Sequence, residues 1–301
     1  MANNNQQKVE LFIDSGAFSA FTQGVSIDLD EYIAFIKQYQ DIITVYANLD
    51  VIGDAEGTLV NQKRMEKAGL SPLPCFHYGE PIEFLKYYLG KYKYIALGGM
   101  VPISTKDLGT WLDNLFTNYI CGPDGLPRVK VHGFGLTSLK LMLRYPWYSV
   151  DSTSWVVTGR MGAIYVPKPW AESLDEVWKV SLSNRSPNQA EAGKHLSSFS
   201  PNQRQYVLDY IKQKGYKLGK SEFRTEDDSY EPKDNERWVG SKKDIKDGKR
   251  DVEMIIESGA CNDYRKRDEL NIIYFLDLEK AMPKWPWAFK LTGEGRGGFG
   301  I

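Results

Sequence analysis

Three aspartates stand where apolar runs stop: Asp14 after "VELFI", Asp50 after "ITVYANL" and Asp151 after "WYSV". Matching positions hold His77 in "PLPCFHYG", Gly98 and Gly99 in "YKYIALGG", and His132 in "RVKVHGFG". A carboxylate in apolar surroundings can exchange protons near neutrality, because burial disfavours its charge. Left ionised, it accepts N–H groups or attacks as a nucleophile. Glycine amides let a ligand approach the backbone closely. A carboxylate–histidine metal site is the coarse alternative, but the sequence has no His-x-His or His-x-x-x-His spacing. Singly, each of these residues also reads as a turn former, a helix cap or a local hydrogen-bonding group. Recurrence at successive strand ends is what marks the set.

The elements that must position them alternate. Strand-like runs "VELFID", "ITVYANLD", "PLPCFHYG", "YKYIALGG", "RVKVHGFG" and "WYSVDSTSW" are separated by helical patterns. Leu29, Tyr32, Ile33 and Ile36 follow Asp28 on one face; Phe84, Leu85, Tyr88 and Leu89 follow Pro81; Leu108, Trp111, Leu112, Leu115, Phe116 and Tyr119 make a third stripe. Strand–helix alternation implies right-handed crossovers and a parallel sheet. Six units in about 155 residues predict an α/β fold, a (β/α)8 TIM barrel, in which the strand ends share one mouth. No G-x-G-x-x-G turn supports a dinucleotide site. "GAIYVP" near Ile164 reads as a seventh strand and "NIIYFLDLEK" from Asn271 as the last. Ser200-Pro201 opens a helix faced by Tyr206, Val207, Tyr210 and Ile211 that stops at Gly215. Residues 221–250 are charged and poor in aliphatics, which predicts a surface excursion or mobile insert, and 293–301 a flexible tail. The whole chain, 1–301, is expected to be a single barrel domain.

Composition narrows the classes. With 38 basic and 39 acidic residues the net charge is −1, so a global electrostatic grip on nucleic acid is not expected. No apolar run approaches a membrane span, and "MANNNQQK" lacks a signal-peptide core, so a cytoplasmic location is expected. Cys75, Cys121 and Cys261 are scattered, and the other histidine, His195, has no cysteine cluster nearby in sequence; neither disulfides nor structural zinc is expected.

The ordered motifs resemble the tRNA-guanine transglycosylase superfamily. "DSGAF" at Asp14 is similar to its Asp-Ser-Gly-Gly-Phe/Tyr motif, "NLD" to its second strand-end aspartate, and "ALGGM" to its Gly-Gly base-binding loop. "VHGFG" resembles the strand before its nucleophile, which puts Asp151 of "SVDSTSW" at the nucleophile position. The likeness spans residues 9–160. The three cysteines and histidine that bind zinc in the tRNA enzymes have no counterpart, and "STSWVVTGR" replaces their proline-threonine-arginine pattern. A short, zinc-free chain is more similar to the phage-encoded DpdA-type DNA transglycosylases, which place the enzyme in the host cytoplasm.

That resemblance implies exchange of guanine in DNA for a 7-deazaguanine such as a 7-cyano or 7-aminomethyl derivative, with tRNA as the alternative substrate. It implies no cofactor and no metal. Base exchange breaks a glycosidic bond through an oxocarbenium-like transition state. Asp151 would trap the sugar, and Asp14, with its proton affinity raised by the apolar lead-in, would shuttle the proton. Asp50 would accept the N–H edge of the base, Gly98 and Gly99 amides would donate to its carbonyl, and His77 would add a contact there. Ser15 and Gly16 leave room for a planar base, with Phe18 as a stacking face. His132 reads as structural. Arg160 and Lys168 would contact phosphates, joined by "SKKDIKDGKR" and "YRKR" beside Trp238 and Tyr264, although solvated surface is the plainer reading of those runs. "PKWPWAFK" at Pro283 reads as core packing or a subunit contact. A homodimer or an accessory protein would supply any further grip on the nucleic acid. Rival classes are a silent nucleic-acid- or purine-binding barrel and a metal-dependent barrel hydrolase using His77, His132 and the aspartates.

Overall fold

The computed structural model describes residues 10–185, 193–240 and 245–291. The chain divides into two compact units: one holds the chain up to Ser152 together with the stretch from Pro283, the other Thr153–Met282.

In the first unit six parallel strands follow one another in order: β1 (Leu11–Ile13), β2 (Ile43–Tyr46), β3 (Cys75–His77), β4 (Tyr94–Gly98), β5 (Lys130–Gly133) and β6 (Ser149–Val150). β2 reaches β3 through the single parallel bridge Ala47–Leu73. The order never reverses, as a doubly wound sheet's must. Helices lie between the strands in sequence: α1 (Ala17–Gln23) and α2 (Leu29–Tyr39) after β1, α3 (Ala55–Lys67) after β2, α4 (Ile82–Lys91) after β3. α5 (Thr105–Leu115), prolonged by a wide turn over Phe116–Ile120, follows β4, and α6 (Leu139–Arg144) follows β5. Side-chain caps start three of them: Asp28 accepts from the Asp30 and Glu31 amides, Asp54 from Gly57 and Ser104 from Asp107. The helical stripes read from the sequence are the buried faces: Ile36, Leu85, Leu112 and Leu115 are shut from solvent, as are Ile95, Leu97 and Val131 of the sheet, and Ile36 packs with Ile43 and Met65.

The sheet curls. Flat, it would hold β1 and β5 four spacings or about 19 Å apart. Yet the Phe12 ring stacks on His132 with centroids 4.4 Å apart, so side chains of the first and fifth strands meet on the inner face. The "PKWPWAFK" stretch packs on this unit: Trp285 Nε1 donates to the Pro146 carbonyl at 3.1 Å, and buried Phe289 lies against Phe116 and Tyr145.

The second unit has another construction. α7 (Ser154–Arg160) precedes β7 (Ala163–Pro167), the expected seventh strand, but β7 pairs antiparallel with β8 (Val177–Ser181) in a ribbon. α8 (Pro201–Gln213) starts at the expected Ser200 with a full capping box through Gln203. The charged stretch is an antiparallel sheet, not an irregular excursion: β9 (Lys220–Asp227), β10 (Glu236–Trp238) and β11 (Lys249–Glu257), in order β10-β11-β9. Cross-strand pairs such as Thr225–Asp251 and Arg237–Glu253 hold it with few aliphatics. Residues 241–244 and the expected tail 293–301 lie outside the described residues.

The expected last strand is a helix, α9 (Tyr264–Ala281). Its buried residues Arg267, Leu270, Asn271, Tyr274 and Leu278 recur at helical spacing, while Ile272 and Leu276 are exposed. The run "NIIYFL" looked continuous because apolar residues occupy both faces. Buried Asn271 then ties the helix down: its Oδ1 accepts the Tyr165 N–H at 3.0 Å and its Nδ2 donates to the Trp155 and Ala163 carbonyls.

Candidate active site

Parallel strands in sequential order carry Asp14, Asp50, His77, Gly98, His132 and Asp151 to the same edge of one sheet. Gly16 (φ +74°) turns β1 into α1; a Cβ there would meet nothing nearer than Ile27 at 3.7 Å, so conformation, not space, requires glycine. Ser15 is buried and its Oγ accepts the Ala17 N–H at 3.3 Å, so it serves its own turn. Phe18 is 54% exposed on α1. Asp14 is exposed as well, which removes the desolvation expected from its apolar lead-in.

The buried carboxylate is Asp50. Its Oδ2 lies 3.2 Å from His77 Nε2, while His77 Nδ1 lies 2.9 Å from Glu80 Oε1. Glu80 Oε2 also accepts the His77 backbone N–H at 3.0 Å. The side chains of Asp50, His77 and Glu80 are only 11%, 15% and 9% exposed. Burial raises the Asp50 pKa, His77 pulls it back, and the charges of Asp14 and Glu80 raise it again, leaving it above the ordinary carboxylate range. Burial alone would lower the His77 pKa; the flanking carboxylates of Asp50 and Glu80 outweigh it and raise it above the ordinary imidazole range. The buried Cys75 thiol is pushed up to about 12 by burial, so it is neutral at ordinary pH. Asp50 Oδ1 is shut from solvent without a hydrogen-bond partner, an arrangement that costs free energy unless something binds there.

Local sequence explains this placement. Asn48 donates to the Thr58 carbonyl, the Thr58 hydroxyl receives the Val51 N–H, and Asn61 donates to the Leu49 carbonyl, pinning the backbone on both sides of Asp50. His77 pairs in register with Gly98. A Cβ on Gly98 would lie 2.8 Å from both Cys75 Sγ and His77 Cδ2, so this glycine makes room for protein side chains rather than for a ligand. Gly99 differs: it is exposed and adopts φ +67°.

A second arm ends on Asp151. Buried His132 bonds Ser149 Oγ through Nδ1 at 2.8 Å, and that hydroxyl meets Tyr94 OH at 2.6 Å. His132 Nε2 stands 3.4 Å from Asp151 Oδ1, which accepts the Gly135 N–H at 2.9 Å. Phe12 stacks on the imidazole and Phe134 meets it edge-on. Asp151 is about half exposed; partial burial would raise its pKa, but His132 and the Gly135 amide prevail and hold it below the usual carboxylate range. His132, read from the sequence as structural, thus approaches Asp151 with a buried Nε2 that has no hydrogen-bond partner.

Cys75, Glu80, Ser149, Tyr94 and Gly135 were not anticipated; the i, i+3 spacing of "HYGE" was the available signal for Glu80. Among the described residues, Asp50, Cys75 and His77 are the group of three ligand atoms within 4.8 Å that could hold a metal ion. Both His77 nitrogens already face carboxylates, so the cluster is better suited to sharing a proton. Arg160 ends α7 and Lys168 follows β7; both belong to the second unit. No family model, no curated protein and no solved structure matches this chain.

Proposed function

We propose that the chain is a guanine transglycosylase that exchanges guanine in DNA for a 7-deazaguanine on a barrel of (β/α)8 type. One observation carries the reading: two carboxylates at one sheet edge have proton affinities displaced in opposite directions, Asp50 upward and Asp151 downward. Such a split leaves Asp151 ionised for attack and Asp50 a protonatable group set against the base. Asp151, ionised and half exposed, attacks C1′ as the C1′–N9 bond breaks, and the guanine leaves carrying a proton donated by the acid. The incoming base loses its proton and displaces Asp151 from the sugar. Asp50 offers its unpartnered Oδ1 to the N–H edge of the purine. Asp14, exposed and close enough for its charge to act on Asp50, stands at the mouth as the proton shuttle. The extension of the curled six-strand sheet to a closed eight-stranded ring belongs to the same proposal.

The test is a covalent adduct between the chain and guanine-containing DNA, resolved on denaturing gels, with tRNA run in parallel. Adduct with DNA, absent in Asp151→Ala, is the expected result. Adduct with tRNA alone moves the activity to that substrate. No adduct and no exchange of labelled guanine on either polymer overturns the reading in favour of a binding protein. Turnover abolished by chelators would instead favour a metal-dependent hydrolase.

A further inference from the structure

The second unit carries a feature that takes no part in the chemical steps of base exchange, although it gathers Arg160 and parts of the basic runs expected to contact phosphates. A cleft of about 810 Å³ is lined by five arginines, Arg160, Arg185, Arg237, Arg250 and Arg267, with Tyr264 also on its wall. They come from α7, the segment after β8, β10, β11 and α9. Two are committed to the fold: Arg267 donates to the Gly159 and Ala260 carbonyls, and Arg237 donates to Glu253 and to the Asn262 carbonyl. The other three are held more weakly. Arg250 is only 8% exposed, its guanidinium lies 4.1 Å over the Trp238 ring, and its Nε has no hydrogen-bond partner, with Asp228 no nearer than 3.9 Å. Arg185 is 3.7 Å from Glu253, a carboxylate it shares with Arg237, and makes one long hydrogen bond, from Nη2 to the Trp238 carbonyl at 3.5 Å. Arg160 makes no hydrogen bond or ion pair among the described residues, and its charge acts on Asp268.

Cations are therefore packed against cations. Burial and the Arg237 charge both lower the pKa of Arg185, and they pull Arg267 down to about 10. Of the cleft wall only Asp251 is acidic, and its carboxylate already receives the Thr225 hydroxyl. Clustered, partly desolvated guanidinium groups are stabilised by an anion that offers several acceptor oxygens. A phosphate group has the matching charge, and pairs of its oxygens accept both N–H bonds of a planar guanidinium fork. Tyr264, 43% exposed, adds an aromatic face for an attached base.

We propose that this cleft binds the phosphate of a nucleotide, either free or within a polynucleotide strand. The site is separate from the base-exchange reading; a chain that exchanged no base would still bind there.

The test uses the full chain. A fluorescein-labelled single-stranded 12-mer oligonucleotide is followed by anisotropy, with GMP and inorganic phosphate as competitors, and thermal stability is measured with each. The wild-type chain is expected to bind, and Arg160→Gln combined with Arg185→Gln to weaken binding about tenfold or more without lowering the Tm of the free protein. Lys106→Gln, on exposed α5, should leave binding unchanged. Arg250→Met is read with its own Tm, because it is buried. Tight oligonucleotide binding that GMP barely displaces assigns the site to a polynucleotide backbone. Stabilisation by GMP and phosphate assigns it to a free nucleotide. Binding undiminished in the double variant, or no binding of any of the three probes, overturns the proposal.

Discussion

Asp50 and His77 share a proton that the unfolded chain cannot keep. The groups facing that proton are Asp14, Cys75 and Glu80, together with the buried phenols of Tyr32 and Tyr88, which burial keeps protonated. His77 has a folded pKa above its unfolded value, so its stabilisation is complete below about pH 6.5 and is lost as pH rises toward the folded value. Asp50, also raised, acts in the same direction, and the shared proton is counted once. Thermal stability should therefore decline as pH rises above about 6.5, and the slope should flatten in Asp50→Asn/His77→Gln. An unchanged slope in that double variant would show that the proton resides elsewhere. Asp151 has the opposite sign: its depressed pKa stabilises above the unfolded value and is lost only as pH falls through the folded one. Asp151→Asn should abolish adduct formation yet leave the Tm at neutral pH nearly unchanged, since the carboxylate is half exposed. Replacing Asp14 by Asn should slow exchange while nucleic-acid affinity holds; normal turnover would remove it as the proton shuttle.

Element placement rests on a few positions without tolerance. Gly98→Ala would put a methyl group 2.8 Å from Cys75 Sγ and His77 Cδ2, an overpacking expected to cost about 1–3 kcal/mol. Its diagnostic effect, read from the pH dependence of stability, would be displacement of His77 from Asp50. In the second unit, Asn271→Leu would leave the Tyr165 N–H and two carbonyls without their partner, a loss of about 3 kcal/mol by chemical denaturation. The first six strands and their helices were readable because each repeats a short apolar run followed by a one-faced stripe. α9 was misread for a related reason: "NIIYFL" is apolar on both helix faces, and only the wider pattern from Arg267 to Leu278 carries the 3.6-residue period. The charged sheet of β9–β11 was hidden because cross-strand ion pairs replace the aliphatic alternation that usually reveals strands.

Across the whole molecule the net charge of −1 gives no long-range pull on nucleic acid, so the arginine cleft must act locally. If the three weakly held arginines each meet one phosphate, log affinity for single strands should fall with log salt at a slope of about −2, at 0.7 per phosphate. A slope several times steeper would require contacts beyond the cleft. The local sequence by itself determined the strand–helix alternation, most caps, and the placing of polar residues at the ends of the first six strands. Those depend on neighbours two to four residues away, which the chain displays directly. Only the tertiary structure decided that Asp50 rather than Asp14 is the buried acid, that Gly98 yields space to Cys75 and His77, and that five arginines spaced from 160 to 267 share one cleft. Burial, proton affinity and charge crowding are sums over groups distant in sequence, and no local pattern contains them.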